Sequence, residues 1–339
     1  MKKIVKLSLV TVLAFSVVLA GCGKKEDTNA SGGDVAKSSV KVGLVTDVGG
    51  VNDKSFNQSA WEALEGLQKN KGITAKYLQS KSKEDYVPNL NKYVKDKYDL
   101  TWGIGFDLGE DIKTVAKQNP DAKLAIIDAI VDEPNVHSVT FAENEGAFLV
   151  GVVAGSMTKT NKVGFVGGAE IPVIKRFEVG FKAGVLAANP KAEVTINYAG
   201  AFDKPDQGKA LAASLYNAGN DILFHASGQT GTGVFNEAID RNKSGKKVWV
   251  IGVDKDQSLE FGDDVTLTSM VKGVSTAVDK ITNEVIDGTF KGGSETLGLK
   301  ENGVGLADTS SKNVPEDVLK KVEDYKQKII SGEIKVPTE

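Results

Sequence analysis

Three aspartates, Asp47, Asp128 and Asp254, each close an apolar run, in "GLVTD", "LAIID" and "VIGVD". A carboxylate at the end of a rigid strand only accepts hydrogen bonds, and neighbouring ribose hydroxyls offer two donors at a suitable separation, so one such Asp can hold a vicinal diol. The same position also suits an N-cap for the next helix. Recurrence in three equivalent places favours the ligand role. Lys272, in "SMVKG", follows another strand-like run, where it either donates to a ligand hydroxyl or ring nitrogen or is a solvated strand-end charge.

Aromatic side chains supply the second kind of chemistry. Phe56, in "TDVGGVNDKSFNQSAWEAL", shares one helix face with Ala60, Leu64 and Leu67, which is the pattern of a core or staple residue. Ser55 and Gln58 have capping-box spacing, which puts Phe56 at the very start of the helix, on the cleft side of its lobe, so position favours a ligand where periodicity does not. Phe177 recurs with Val173, Phe181 and Val185 every four residues and reads as core, or as a ring at the edge of a cleft. In "FHASGQTGTGVF" a strand, a loop bearing Gly228, Gly231 and Gly233, and a helix follow in the order of a phosphate loop. The spacing is GxxGxG, however, and the Lys of a P-loop is missing. Glycines there let the backbone approach a ligand or turn tightly into a helix. His225, just before them, is either a stacking ring or a structural histidine.

Other chemistries are poorly supplied. Two histidines, His137 and His225, and one cysteine, Cys22, give no basis for a zinc site or a Cys/His nucleophile pair. No cofactor fingerprint is specific, and no cofactor is expected. Lys+Arg 42 against Asp+Glu 45, without a basic run after the first residues, argues against a nucleic-acid partner.

The elements that must position these residues form an α/β alternation that runs twice. Strand-like runs such as 40–46, 73–78, 100–105 and 123–128 are separated by helical patterns, and a second series begins after a helix at 144–157. Two doubly wound Rossmann-like lobes result, with a ligand cleft between them at the strand ends. The expected organisation is a signal peptide at 1–21, a flexible tether at 22–38, lobe 1 at 39–145 with part of 271–310 returning to it, and lobe 2 at 146–270 with the C-terminal helix 315–331 packed on it. The leader has Lys2, Lys3 and Lys6, then the short apolar run "LSLVTVLAFSVVLA", then "LAGC", the form of a bacterial lipobox whose Cys22 carries lipid. A retained membrane-spanning helix is the alternative, but the run is short for one.

Taken in order, the lipobox, "TDVGGVNDKSFNQSAWEAL", "YVPNL", "GIGF", "AIID", "NVHSVTF", "EGAFLVGVVA", "KVGFVGG", "RFEVGFKAG", "YAGAF", "GQTGTGVF" and "WVIGVDKDQ" resemble the basic membrane lipoprotein family, the PnrA-like substrate-binding lipoproteins. The resemblance implies a type I periplasmic-binding fold, a purine nucleoside ligand (adenosine, guanosine or inosine), delivery to ABC permease subunits, and a lipid anchor on the extracytoplasmic face of the cell membrane. It implies that Phe56 stacks on the purine with Asn57 and Asp47 in the same wall, that Asp128 reaches the base, and that Asp254 and Lys272 hold ribose. A second aromatic completes the clamp, with His225 and Phe177 as candidates and Gly228 in the loop nearby. Where relatives often read Gly-Gly-Thr-Gly, this chain has "SGQTG", so Gln229 either adds a hydrogen bond or points to solvent. The same fold binding a sugar or another metabolite, a nucleoside-processing enzyme, and a surface adhesin are the competing classes.

Overall fold

The computed structural model describes residues 38–339, so the leader, Cys22 and nearly all of the tether lie outside the described residues. The first sheet carries β1 (Lys41–Thr46), β2 (Thr74–Gln79), β3 (Leu100–Ile104), β4 (Leu124–Ile127) and β5 (Val136–Phe141), with helices α1 (Phe56–Lys71), α2 (Tyr86–Lys95) and α3 (Gly109–Gln118) between its early strands. Helix α4 (Glu143–Met157) leads to β6 (Lys162–Gly167), α5 (Pro172–Ala188), β7 (Glu193–Tyr198), α6 (Pro205–Asn217), β8 (Ile222–Ala226), α7 (Thr230–Lys243), β9 (Trp249–Asp254), α8 (Ser258–Phe261) and β10 (Thr266–Lys272). The chain closes with α9 (Val274–Ile286), β11 (Gly293–Leu297), β12 (Val304–Leu306) and α10 (Glu316–Ile330).

The sheets are six-stranded, in the orders β2-β1-β3-β4-β5-β11 and β7-β6-β8-β9-β10-β12. Pairing is parallel except for β10 with β12. Both are the doubly wound order in which the sequence of strands reverses beside the first strand, the point where such sheets open a ligand crevice. The chain is a type I periplasmic-binding fold.

Parallel strands covered by helices on both faces must be apolar throughout, which is why β3 and β4 are buried at every position. Trp102 fills the first lobe, its indole N–H donating to Thr282 Oγ1 of α9 at 3.2 Å. In the second lobe, Phe165, Phe181 and Phe224 pack with centroids 5.1 to 6.3 Å apart. Burial of rings of this size dominates core energetics.

Segment 271–310 is divided between the sheets: β11 pairs with β5, while β12 pairs with β10. The chain therefore crosses between lobes three times, after β5, after β10 and after β11. Two of those crossings deliver charges to one spot. Glu143 is the first residue of α4 and Lys272 the last of β10.

Among the described residues no helix is long and apolar enough to cross a membrane.

Candidate functional site

A slot between the two sets of strand ends has about 620 Å³ of empty space, its open mouth included. Its walls include Asp47, Phe56, Asn57 and Asp128 from the first lobe, and Phe177, Gly228, Asp254 and Lys272 from the second. These expected residues, distant in sequence, meet because all but Phe177, in the second turn of α5, follow or end a strand or open the next helix.

The local chemistry of the first wall is set by Asp53. Its Oδ1 accepts from the amides of Ser55 at 2.9 Å and Gln58 at 3.1 Å, and its Oδ2 from the amide of Asn57 at 2.8 Å. Asp53 thereby satisfies the donors that an α-helix leaves free at its N-terminus. The expected Ser55/Gln58 capping box does not form. The Ser55 hydroxyl donates instead across the cleft to Asp254 Oδ2, and Gln58 donates to Glu62 Oε1 at 2.8 Å. Helix α1 still begins at Phe56, so the ring stands at its first turn, half-buried at the slot.

Asn57 Nδ2 is shared between Asp47 Oδ1 at 2.8 Å and Asp53 Oδ2 at 3.0 Å. Two carboxylates fix the amide's orientation, because a flip would turn its oxygen toward both. The Asn57 oxygen is left buried without a partner, and so is Asp128 Oδ1. Buried acceptors normally find donors, so two on one cavity wall point to a ligand that donates hydrogen bonds.

Asp128 and Asp254 sit beside topologically equivalent strands, β4 and β9, with φ of 74° and 65°. Left-handed backbone is uncommon for residues with a side chain, although Asp tolerates it better than most, and it clusters at functional sites. None of the three strand-end aspartates caps a helix with its side chain.

Lys272 is not a solvated charge. Its side chain is 1 % exposed, with Nζ 2.7 Å from Asp128 Oδ2 and 3.1 Å from Glu143 Oε1. Nζ also lies 5.1 Å from the centroids of Phe56 and Phe141 and 5.7 Å from that of Phe177, close enough for cation–π attraction. Glu143 is held from its other side by Arg176 Nε at 2.6 Å. Burial alone would lower the Lys272 ammonium, but Asp128, Glu143 and Asp254 outweigh it and raise it, so the charge persists. Burial pushes Asp47 and Asp254 up to about 7 and Asp128 to about 6, against the pull of Asn57 on the first and of Lys272 on the other two.

Phe177 is both core and wall: it is 2 % exposed, backed by Phe224 at 6.2 Å, and borders the slot. His225 does not border it. Along β8 alternate residues face opposite ways, so Phe224 joins the aromatic core while Leu223 and His225 turn to the other side of the sheet. His225 Nε2 lies 2.8 Å from Gln257 Oε1 and Nδ1 lies 3.2 Å from Ser227 Oγ. Gln257 Oε1 also accepts from the Val253 amide and its Nε2 donates to the Lys54 carbonyl, so His225 carries its proton on Nε2. Burial lowers it to about 4, so it stays neutral. A ligand role for His225 is therefore corrected to a structural one. His225→Ala should lower stability by roughly 2 kcal/mol, through a cavity and an unpaired Gln257, and leave ligand affinity within about tenfold; thermal melts and titrations on the variant check both.

The glycine-rich loop is likewise mostly packing. A side chain at Gly231 would strike the His225 ring, and one at Gly233 the Pro205 carbonyl of α6. Gly228 alone of the three reaches the slot. Gln229 precedes α7 and is not among the residues of the slot wall.

The sequence reasoning passed over several wall residues. Phe106 and Phe202 follow β3 and β7 and line the slot, as do Asp53, Asp107 and Ser227. The signal for the two rings was an aromatic just after a strand end, in "GIGF" and "YAGAF". Among the described residues no cluster of three or more metal-binding side chains occurs.

A family model described as "ABC transporter substrate-binding protein PnrA-like" matches residues 40–339. The chain is 48 % identical to a protein of Listeria innocua named "CD4+ T-cell-stimulating antigen" and 42 % identical to the "ABC transporter nucleoside-binding protein BmpA" of Lactococcus lactis, covering 99 % of both chains in each case. A solved ABC transporter solute-binding protein from Aeropyrum pernix K1 superposes with a TM-score of 0.81 at 30 % identity, over 88 % of this chain and 94 % of that one.

Proposed function

The chain belongs to the PnrA-like family of ABC transporter substrate-binding proteins, and from that premise we propose that it captures purine nucleosides and hands them to ABC permease subunits. The observation that carries this reading is the union of an aromatic ring, Phe56, with an acceptor-rich polar wall in one slot. A purine offers a flat face and N–H donors, and a ribose offers hydroxyl donors.

Phe56 stacks on the base, which contributes roughly 1–3 kcal/mol by analogy with aromatic platforms for single strands. Phe177, Phe202 and Phe106 supply apolar surface elsewhere in the slot. Asp47 and Asn57 read one edge of the base and Asp128 another, while Asp254 and Lys272 hold the ribose. The task is binding, not catalysis: the polar groups fix orientation, and the closed shape is what a permease recognises. The 42 % identical nucleoside-binding relative supports the ligand class. The lipobox at Leu19 to Cys22 supports an anchor by lipid on Cys22, at the extracytoplasmic face of the cell membrane.

A pH signature follows. Asp47 and Asp254, at about 7 in the free protein, accept ligand hydrogen bonds as carboxylates. Donors favour the ionised form and lower the pKa, so binding releases protons and tightens as pH rises from about 5 toward about 7. The linkage to folding runs the other way. A carboxylate raised above its unfolded value of 3.8 stabilises the fold at low pH, and that contribution is lost as pH rises through about 7. Titrating inosine calorimetrically in two buffers of different ionisation enthalpy near pH 6 tests the reading. Net proton release with measurable binding is expected; absence of binding, or proton uptake, contradicts it.

A further inference from the structure

We propose that a seam lying outside the slot is a latch that holds the two lobes closed and sets how long a ligand stays, with Gln257 as its positioning residue. The inference rests on the reading of the slot as a binding site and adds what governs release from it.

The seam joins the stretch Lys54 to Glu62, the turn before α1 and its first residues, to Lys255 to Phe261, the segment after β9. Its inner member is Gln257, which is fully buried and does not border the slot. Lobe 2 sets this side chain in advance. Oε1 accepts from the Val253 amide at 2.9 Å and from His225 Nε2 at 2.8 Å, and the Gln257 backbone amide donates to Ser269 Oγ at 3.0 Å. Two donors on Oε1 fix the side-chain amide, so Nε2 faces lobe 1, where it donates to the Lys54 carbonyl at 2.9 Å. Lys54 has a φ of 55°, uncommon for a residue with a side chain. It stands between Asp53, which caps α1, and Ser55, which donates to Asp254. Gln257 thus registers the turn from which Phe56 enters the slot wall.

The outer members are charged. Lys255 Nζ lies 2.7 Å from Glu62 Oε1 of lobe 1 and 3.3 Å from Glu260 Oε1 of its own lobe. Gln58 Nε2, from lobe 1, donates to Glu260 Oε1 at 3.3 Å. Lys54 Nζ lies 4.8 Å from the centroid of Phe261, whose ring is stacked on Phe235 at 4.0 Å. Lys54, Gln58, Glu62, Lys255 and Glu260 are not among the slot residues, so they act on a ligand through closure of the lobes. Parting the lobes breaks these contacts together, and the wait for that event is the residence time of an enclosed ligand.

Exchanging the surface charges separates latch from fold. Glu62→Lys and Lys255→Glu each set like charges across the seam, and the double exchange restores an opposite pair. Cys22→Ser removes the one native thiol, and spin labels on Glu65→Cys and Asp264→Cys, both exposed positions, read the distance between lobes without any ligand. Inosine reads the dissociation rate. Each single exchange, and Gln257→Met, should lengthen the label distances and speed inosine release about fivefold to tenfold without slowing association. The double exchange should return both to within about twofold of wild type, and high salt should shrink the effect of the charge variants but not that of Gln257→Met. Urea unfolding checks the fold. Gln257→Met also strips the Val253 amide and His225 of an acceptor, so if it proves unstable the charge exchanges decide alone. Label distances unmoved by the single exchanges, or no recovery in the double one, overturn the latch. Failure of purine nucleosides to bind defeats the proposed function, while the label distances still decide the latch.

Discussion

Asp254→Ala is expected to weaken nucleoside binding by about 100-fold or more, close to 3 kcal/mol, while unfolding of the free protein changes little. The binding loss comes from ribose hydroxyls that no longer find a carboxylate in a buried site. Stability is nearly conserved because the terms oppose one another. The variant loses the Ser55 hydroxyl bond and one neighbour of Lys272, but it also removes a carboxylate that burial holds at about 7. Ala at a φ of 65° adds backbone strain on the order of 1 kcal/mol, which Asp254→Asn avoids because Asn tolerates the left-handed region. Urea unfolding and ligand titration of both variants read the two quantities separately. A collapse of the fold in Asp254→Asn would mark the residue as structural.

Lys272→Met should have the largest effect on stability. It leaves Asp128 and Glu143 without their shared cation in a region that is almost fully buried, and removing one partner of such a pair typically costs about 3–5 kcal/mol. The loss should depend on pH in a definite sense. Asp128 is already raised to about 6 beside Lys272, and without that ammonium it moves higher. Its protonated form is then the stable one in the fold, so the destabilisation is smallest near pH 5 and grows toward pH 8. Chemical denaturation of wild type and variant at those two values measures it; a difference independent of pH would show that Lys272 supports the fold by packing alone. Nucleoside binding should be lost in the variant at both.

The parts of this account that could be read from the chain are those that leave a local trace. Buried parallel strands must be apolar on both faces, so they appear as short runs, and their ends appear as the Asp or Gly that follows. Asp47, Asp128 and Asp254 were legible for that reason. Contacts between distant segments leave no such trace. Ser55 looks like a cap from its spacing, and only the folded chain brings it to Asp254, 199 residues away. Glu143 falls just before the helix expected at 144–157, yet it is the first residue of α4 and fully buried against Lys272 and Arg176. His225 was misplaced for a different reason: strand parity, taken from Phe224 beside it, already directs it away from the aromatic core.

The proposed function requires the slot to recognise a purine nucleoside as a whole, ring by Phe56 and sugar by Asp254 and Lys272. Equilibrium titration with inosine, guanosine, adenosine and free ribose tests it most directly. At least one nucleoside should bind at about micromolar or tighter, −8 kcal/mol or better, and free ribose at least 100-fold more weakly. If no purine nucleoside binds below about the millimolar range, or if ribose alone binds as tightly, the claim is contradicted.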